Sequence, residues 1–143
     1  MKTTVSEKLE EICVRHGVSS LFAFGSRGAE IAGRVRGHEV PPGPASSDLD
    51  LGVLLPRNGE SGAFSAVRFA AELEDLFGVP RVDLVVLGRA SALLAVEAIK
   101  GELLVDLAGR ETAEFELFAL RRAADLLPHQ RARVAAVLRE GAR

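Results

Sequence analysis

Apolar positions recur along the chain in two rhythms, one near three and a half residues and one of short continuous runs. In residues 4 to 16, Val5, Leu9, Ile12, Cys13 and His16 share one helical face, and Thr4 with Glu7 three residues on forms a capping box. Gly17 is placed to end that helix. The run Ser20-Leu21-Phe22-Ala23-Phe24 is short, apolar and stopped by Gly25, which predicts a buried strand entering a tight turn. A short helix is predicted from Ala29 to Val35. Prolines 41, 42 and 44 with Gly43, Ser46 and Ser47 then predict a loop, because proline removes a donor and restricts its predecessor.

Asp48 to Leu55 reads as the second strand. Phe64, Val67, Phe69, Ala71, Leu73, Leu76 and Phe77 fit helical spacing from Ser61 to Phe77, closed by Gly78-Val79-Pro80. Arg81 to Leu87 is the third strand. Ser91 caps a helix over Ala92 to Ile99, Leu103 to Leu107 is a fourth strand, and Phe115 to the end is helical with a break near Pro128. This alternation predicts an α+β domain, a mixed β-sheet flanked by helices, spanning residues 1–143. Its core falls at about 18–105 and its helical tail at about 110–143.

Composition narrows the function classes. At 48% apolar and 27% charged residues, the 143-residue chain has the make-up of one soluble domain, with no uncharged run long enough for a membrane helix. The start, MKTTVSEKLEE, reads as neither a secretory nor a transit peptide, so a cytoplasmic location is expected. A net charge of −2 gives no footprint for sequence-independent nucleic-acid binding, and no nucleic-acid partner is expected. The single cysteine, Cys13, excludes an internal disulfide, and His16, His38 and His129 lack zinc-ligand spacing. Any metal must therefore be held by oxygen. Cys13 lies on the apolar helix face and reads as a core residue. Six arginines against Asp125 and Glu140 in residues 121–143 fit a solvated helix surface or a docking face.

Asp48 and Asp50 flank Leu49 on a predicted strand, so both carboxylates project from one face. Two like charges so close repel unless neutralised, and a hard divalent cation is the usual partner. An arbitrary Asp-x-Asp is more often a solvated strand edge. Here Leu49, Leu51, Val53, Leu54 and Leu55 make the strand a buried one, and placing acids at its start needs compensation. Asp83 sits inside another apolar run, Val82 to Leu87. Either an ion pair with Arg81 or Arg89, or a role beside the metal pair, accounts for it. Gly25-Ser26 directly after the first strand suits a phosphate seat, where glycine permits close backbone approach and the hydroxyl points outward. Arg27 adds a donor fork suited to phosphate oxygens.

Together, a strand ending in Gly-Ser, an Asp-x-Asp on the next strand and a third Asp resemble the DNA polymerase β-like nucleotidyltransferase superfamily. The stretches AFGSRG and SSDLDLGVLL look like the minimal nucleotidyltransferase (MNT) antitoxins that accompany HEPN-domain toxins. That resemblance covers roughly residues 18 to 105, and the tail from Gly101 to His129 is similar to the closing helix of the group. It implies a polymerase β-like nucleotidyltransferase fold. Gly25, Ser26 and Arg27 would bind the nucleotide, and Asp48, Asp50 and Asp83 would be the catalytic, Mg2+-binding carboxylates. The implied activity is transfer of AMP from ATP to a tyrosine of a partner HEPN-type toxin. The gap from Gly25 to Asp48 is longer than usual for the motif, with the extra residues placed between Gly33 and Pro44. Two rivals remain: a non-catalytic antitoxin that neutralises by binding, and an enzyme acting on a small hydroxyl compound. The three acids speak against the first, and the absence of an added recognition domain against the second.

Overall fold

The structure is a computed structural model describing residues 4–41, 48–57 and 64–141. Of the predicted proline-rich loop over residues 41–47, residues 42–47 lie outside the described residues, as do residues 61–63 of the predicted third helix. Helix α1 (Val5–His16) starts where the capping residue predicts: the Thr4 hydroxyl accepts a hydrogen bond from the Glu7 N–H at 3.1 Å. Gly17, with φ +69°, turns the chain out of the helix into β1 (Ser20–Phe24), all five residues of which are buried. A single 3-10 turn, Gly25–Arg27, leads into α2 (Gly28–Val35). The second strand, β2 (Leu49–Leu54), begins one residue later and ends one residue earlier than the apolar run.

Helix α3 (Ala66–Phe77) is shorter than its periodicity predicts, because the Ser65 hydroxyl caps it by accepting from the Arg68 N–H. After α3 come β3 (Val82–Val86), α4 (Ala92–Ile99), β4 (Glu102–Asp106) and α5 (Arg110–Gly141). Two expectations about the tail are corrected. The helix begins at Arg110 rather than Phe115, because Asp106 accepts hydrogen bonds from the Ala108 and Gly109 N–H groups and the Thr112 hydroxyl, nucleating the first turn. It also runs through Pro128 without a break. Proline leaves one carbonyl of the preceding turn without its donor, and here that turn, residues 124–127, is exposed, so water can take the donor's place.

The sheet order is β3-β2-β1-β4, with β1 antiparallel to both β2 and β4, and β2 parallel to β3. The parallel step requires a crossover, which α3 supplies. Strand alternation splits the core between two faces. Leu21, Ala23, Leu49, Leu51 and Val53 point to one, where Leu9, Ile12 and Cys13 of α1, Ile31 of α2 and Phe69, Leu73 and Phe77 of α3 pack. Phe22, Phe24 and Leu54 point to the other, against Leu87 and Ala98. Gly52 lies on this second face, where a Cβ would come within 2.9 Å of Leu87 and 3.3 Å of Ala98; the glycine lets α4 sit close to the strand. Outside α4 lies α5, joined to it through Ala95, Val96, Ala119 and Ala123.

Cys13 is fully buried and its thiol is pushed up to about 12 by burial, with the nearby Glu10 adding to it, which makes it a core residue. His16, at the end of α1, reaches across to α3. It meets Glu72 of α3, stands edge-on to Phe69, and shares Glu72 with Arg15. The hydrogen bonds from Arg15 and then His16 hold the Glu72 carboxyl below its usual range. Among the described residues no helix is long and apolar enough to cross a membrane.

Candidate active site

One end of the sheet gathers the predicted chemistry. Phe24, the last residue of β1, stands opposite Asp50 in the antiparallel pair, and Asp50 stands opposite Asp83 in the parallel pair. Leu49 is completely buried on the face of α1 and α3, so the alternation turns Asp48 and Asp50 to the other face, the side of α4. Three acids from two strands therefore meet beside the turn that leaves β1. The side chains of Asp48 and Asp83 are 39% and 40% exposed, open enough for a ligand from solvent to reach them.

Their charges are not independent. Burial raises the Asp50 carboxyl above its usual range, and repulsion from Asp83, Asp48 and Glu97 raises it further. Arg81, immediately before β3, answers part of this charge: its Nη2 lies 3.1 Å from Asp83 Oδ1 and its Nε 4.0 Å from Asp48 Oδ2. Its backbone carbonyl also accepts from the Leu49 N–H at 3.0 Å, fixing the two strand starts side by side. The ion pair that the sequence offers as an alternative for Asp83 thus forms, and it joins the two outer acids instead of removing Asp83 from the cluster.

Gly25 has φ +71°, and a Cβ there would overlap the Asp50 carboxylate oxygen. Both facts demand glycine, and together they bring the exposed Gly25-Ser26 turn against the acids. Gly25→Ala is expected to cost about 1–2 kcal/mol from the left-handed backbone alone, with displacement of Asp50 in addition. A melting temperature within one degree of wild type would show that the turn tolerates a side chain.

Arg27 is placed differently from expectation. It is buried to 7% exposure and turned to Glu30, also 7% exposed, with Nη2 2.9 Å and Nε 3.2 Å from Glu30 Oε2. The guanidinium expected to face a phosphate is engaged by a carboxylate in the first turn of α2. The sequence reading missed Glu97, an exposed α4 residue close enough to act on Asp50; no local motif marks it, because its position depends on how α4 docks.

The donor set suits a hard cation. All the candidate ligands are carboxylate oxygens, and their mutual repulsion is what a divalent ion relieves. Among the described residues no group of three or more acidic, histidine or cysteine side chains is drawn into a ready-made metal cage. Arg81 lies between Asp48 and Asp83 and shares one positive charge between the two.

Three solved structures share this architecture over nearly the whole chain. One is a chain of a toxin–antitoxin complex with AMP-PNP, 19% identical at a TM-score of 0.66, covering 93% of this chain and 98% of that one. A second, 18% identical at 0.66 with the same coverage, belongs to an MntA toxin–antitoxin complex carrying two Asp→Glu changes two positions apart. The third belongs to a tri-AMPylated HEPN toxin of Shewanella oneidensis in complex with its MNT antitoxin, 18% identical at 0.63, covering 94% and 96%. Neither a protein-family profile nor a curated protein sequence matches the chain. At these identities the likeness defines the fold: an α+β nucleotidyltransferase fold, with its four-stranded mixed sheet between helices. The same fold is present in those chains of toxin–antitoxin complexes.

Proposed function

We infer that the chain is a divalent-metal-dependent nucleotidyltransferase that moves AMP from ATP to a tyrosine hydroxyl of a HEPN-type toxin and so acts as its antitoxin. The observation that carries this reading is the convergence of Asp48, Asp50 and Asp83 on a glycine turn built against Asp50. The comparisons support it. Structures of this fold include one with AMP-PNP, one with an AMPylated toxin, and one whose paired Asp→Glu changes have the spacing of Asp48 and Asp50. The chain has no tyrosine of its own, so a tyrosine acceptor must come from another protein.

In this reading Asp48, Asp50 and Asp83 would hold Mg2+, which would supply charge neutralisation to the triphosphate and the attacking oxygen. The Gly25-Ser26 turn presents backbone N–H groups and a hydroxyl to the phosphates. An acceptor oxygen attacks the α-phosphorus as its proton passes to a carboxylate of the site. The bond from that phosphorus to the bridging oxygen breaks, and pyrophosphate leaves. Catalysis on this scheme is positioning and charge compensation, with no covalent enzyme intermediate.

Calorimetry of ATP binding with Mg2+ and with chelator tests the site. Because unneutralised acids repel a triphosphate, affinity in chelator is expected to be weaker by roughly tenfold or more. Equal affinity in both would remove the metal from the scheme, and no binding in either would remove the nucleotide.

A further inference from the structure

Past Ala123, α5 leaves the body of the protein. Its inner side ends with Thr112, Phe115, Ala119 and Ala123, and no described residue from 124 onward is buried. The remaining 18 residues to Gly141 project about 27 Å at the helical rise of 1.5 Å per residue. Along the outer side, Leu117, Leu120, Ala124 and Leu127 follow one another by three, four and three residues. Leu138 returns to the same line after three further turns. The four leucines are 42–68% exposed. Most helix stability in proteins comes from tertiary packing, and an internal proline lowers it further, so a seam of leucines on a projecting helix calls for a covering surface.

Charge decides what that surface is. Residues 121–143 hold six arginines against Asp125 and Glu140, an excess of four positive charges in a chain whose net charge is −2. Arg121, Arg122 and Arg133 are exposed, and Arg122 lies over the Phe118 ring at 5.5 Å beside the seam. Two copies of α5 paired along this seam would set arginine-rich flanks against each other, which disfavours self-pairing.

We propose that the outer face of α5, from Leu117 to Leu138, is a docking arm for the acceptor protein, whose matching surface is a helical apolar seam edged with Asp and Glu. This rests on the proposed function for the existence of an acceptor, and it adds where the acceptor is held. Asp48 directly precedes β2, Asp50 belongs to β2 and Asp83 to β3, and none of them to α5, so docking and chemistry can be altered by separate substitutions.

The test co-expresses the full chain with the product of the adjacent open reading frame, the candidate acceptor, and measures complex formation by size exclusion and titration. Leu120→Asp with Leu127→Asp places charge in the seam at exposed positions. It should weaken the complex by roughly a hundredfold or more while leaving melting temperature and ATP binding unchanged. Arg121→Glu with Arg133→Glu should weaken it by roughly tenfold at low salt and flatten its salt dependence. A complex unaffected by the leucine changes, or absent with wild type, overturns the proposal. So does a wild-type dimer of the chain alone that the leucine changes split while the complex survives. Indifference to the arginine reversal overturns the acidic partner. If the wild-type complex forms through α5 but no AMP is transferred, the arm stands and the enzymatic reading fails.

Discussion

Replacing Asp50 with asparagine is expected to lower AMP transfer to the acceptor by roughly three orders of magnitude, the scale on which removing one preorganised electrostatic element acts. The change keeps the volume and removes one negative charge from a cluster in which Asp50 is pressed by burial and by Asp83, Asp48 and Glu97. Packing should therefore survive, and the metal-free protein should melt no lower than wild type and even slightly higher. Asp48→Asn should lose transfer to a similar degree. Asp83→Asn gives up the 3.1 Å contact with Arg81, but both partners of that pair are substantially exposed, so its stability should change by no more than about 1 kcal/mol. Transfer by labelled ATP, thermal melts and toxin suppression are measured on all three variants. Label should appear on the acceptor and leave the mass of the chain itself unchanged. If the Asp48 and Asp50 variants suppress the toxin as well as wild type does, neutralisation comes from binding and the enzymatic role is lost.

The parts of this site that could be read from sequence are those fixed by local geometry. Asp48 and Asp50 share a face because a strand alternates, and the buried Leu49 between them fixes which face that is. Gly25 could be read as a turn, although the approach of the Asp50 carboxylate to the space a Cβ would fill belongs to the strand pairing. Asp83 arrives opposite Asp50 only through the register of β2 with β3, which is set by the length and packing of α3 and leaves no local mark. Glu97 is hidden for the same reason. Pro128 misled in the other direction: its breaking tendency is a property of the chain segment, and its setting in an exposed turn of a long helix is a property of the fold. The acid cluster thus depends on both levels, with the identities of its residues local and their convergence tertiary.

Arg27→Met is expected to destabilise the protein by about 3–5 kcal/mol, because it takes a bonded guanidinium away from the buried Glu30 carboxylate. Both side chains are 7% exposed, and the pair is made through several contacts between 2.9 and 3.3 Å, so solvent screening does little to soften the loss. In a chain of this size that is a fall of about 10 °C or more in melting temperature. The pair spans the step from the Gly25–Arg27 turn into the first turn of α2, so it clamps the turn from behind. ATP affinity at a temperature where the variant is folded should fall only modestly, through loosening of that turn. The double variant Arg27→Met with Glu30→Leu removes both buried charges at once and should be less destabilised than the single variant. A phosphate ligand would behave in the opposite way. Were Arg27 the donor fork that its place after Gly-Ser suggests, Arg27→Met would leave the melting temperature near wild type and weaken ATP binding sharply, and changing Glu30 as well would restore nothing. Melting curves and ATP titrations of the single and double variants separate a structural clamp from a nucleotide contact.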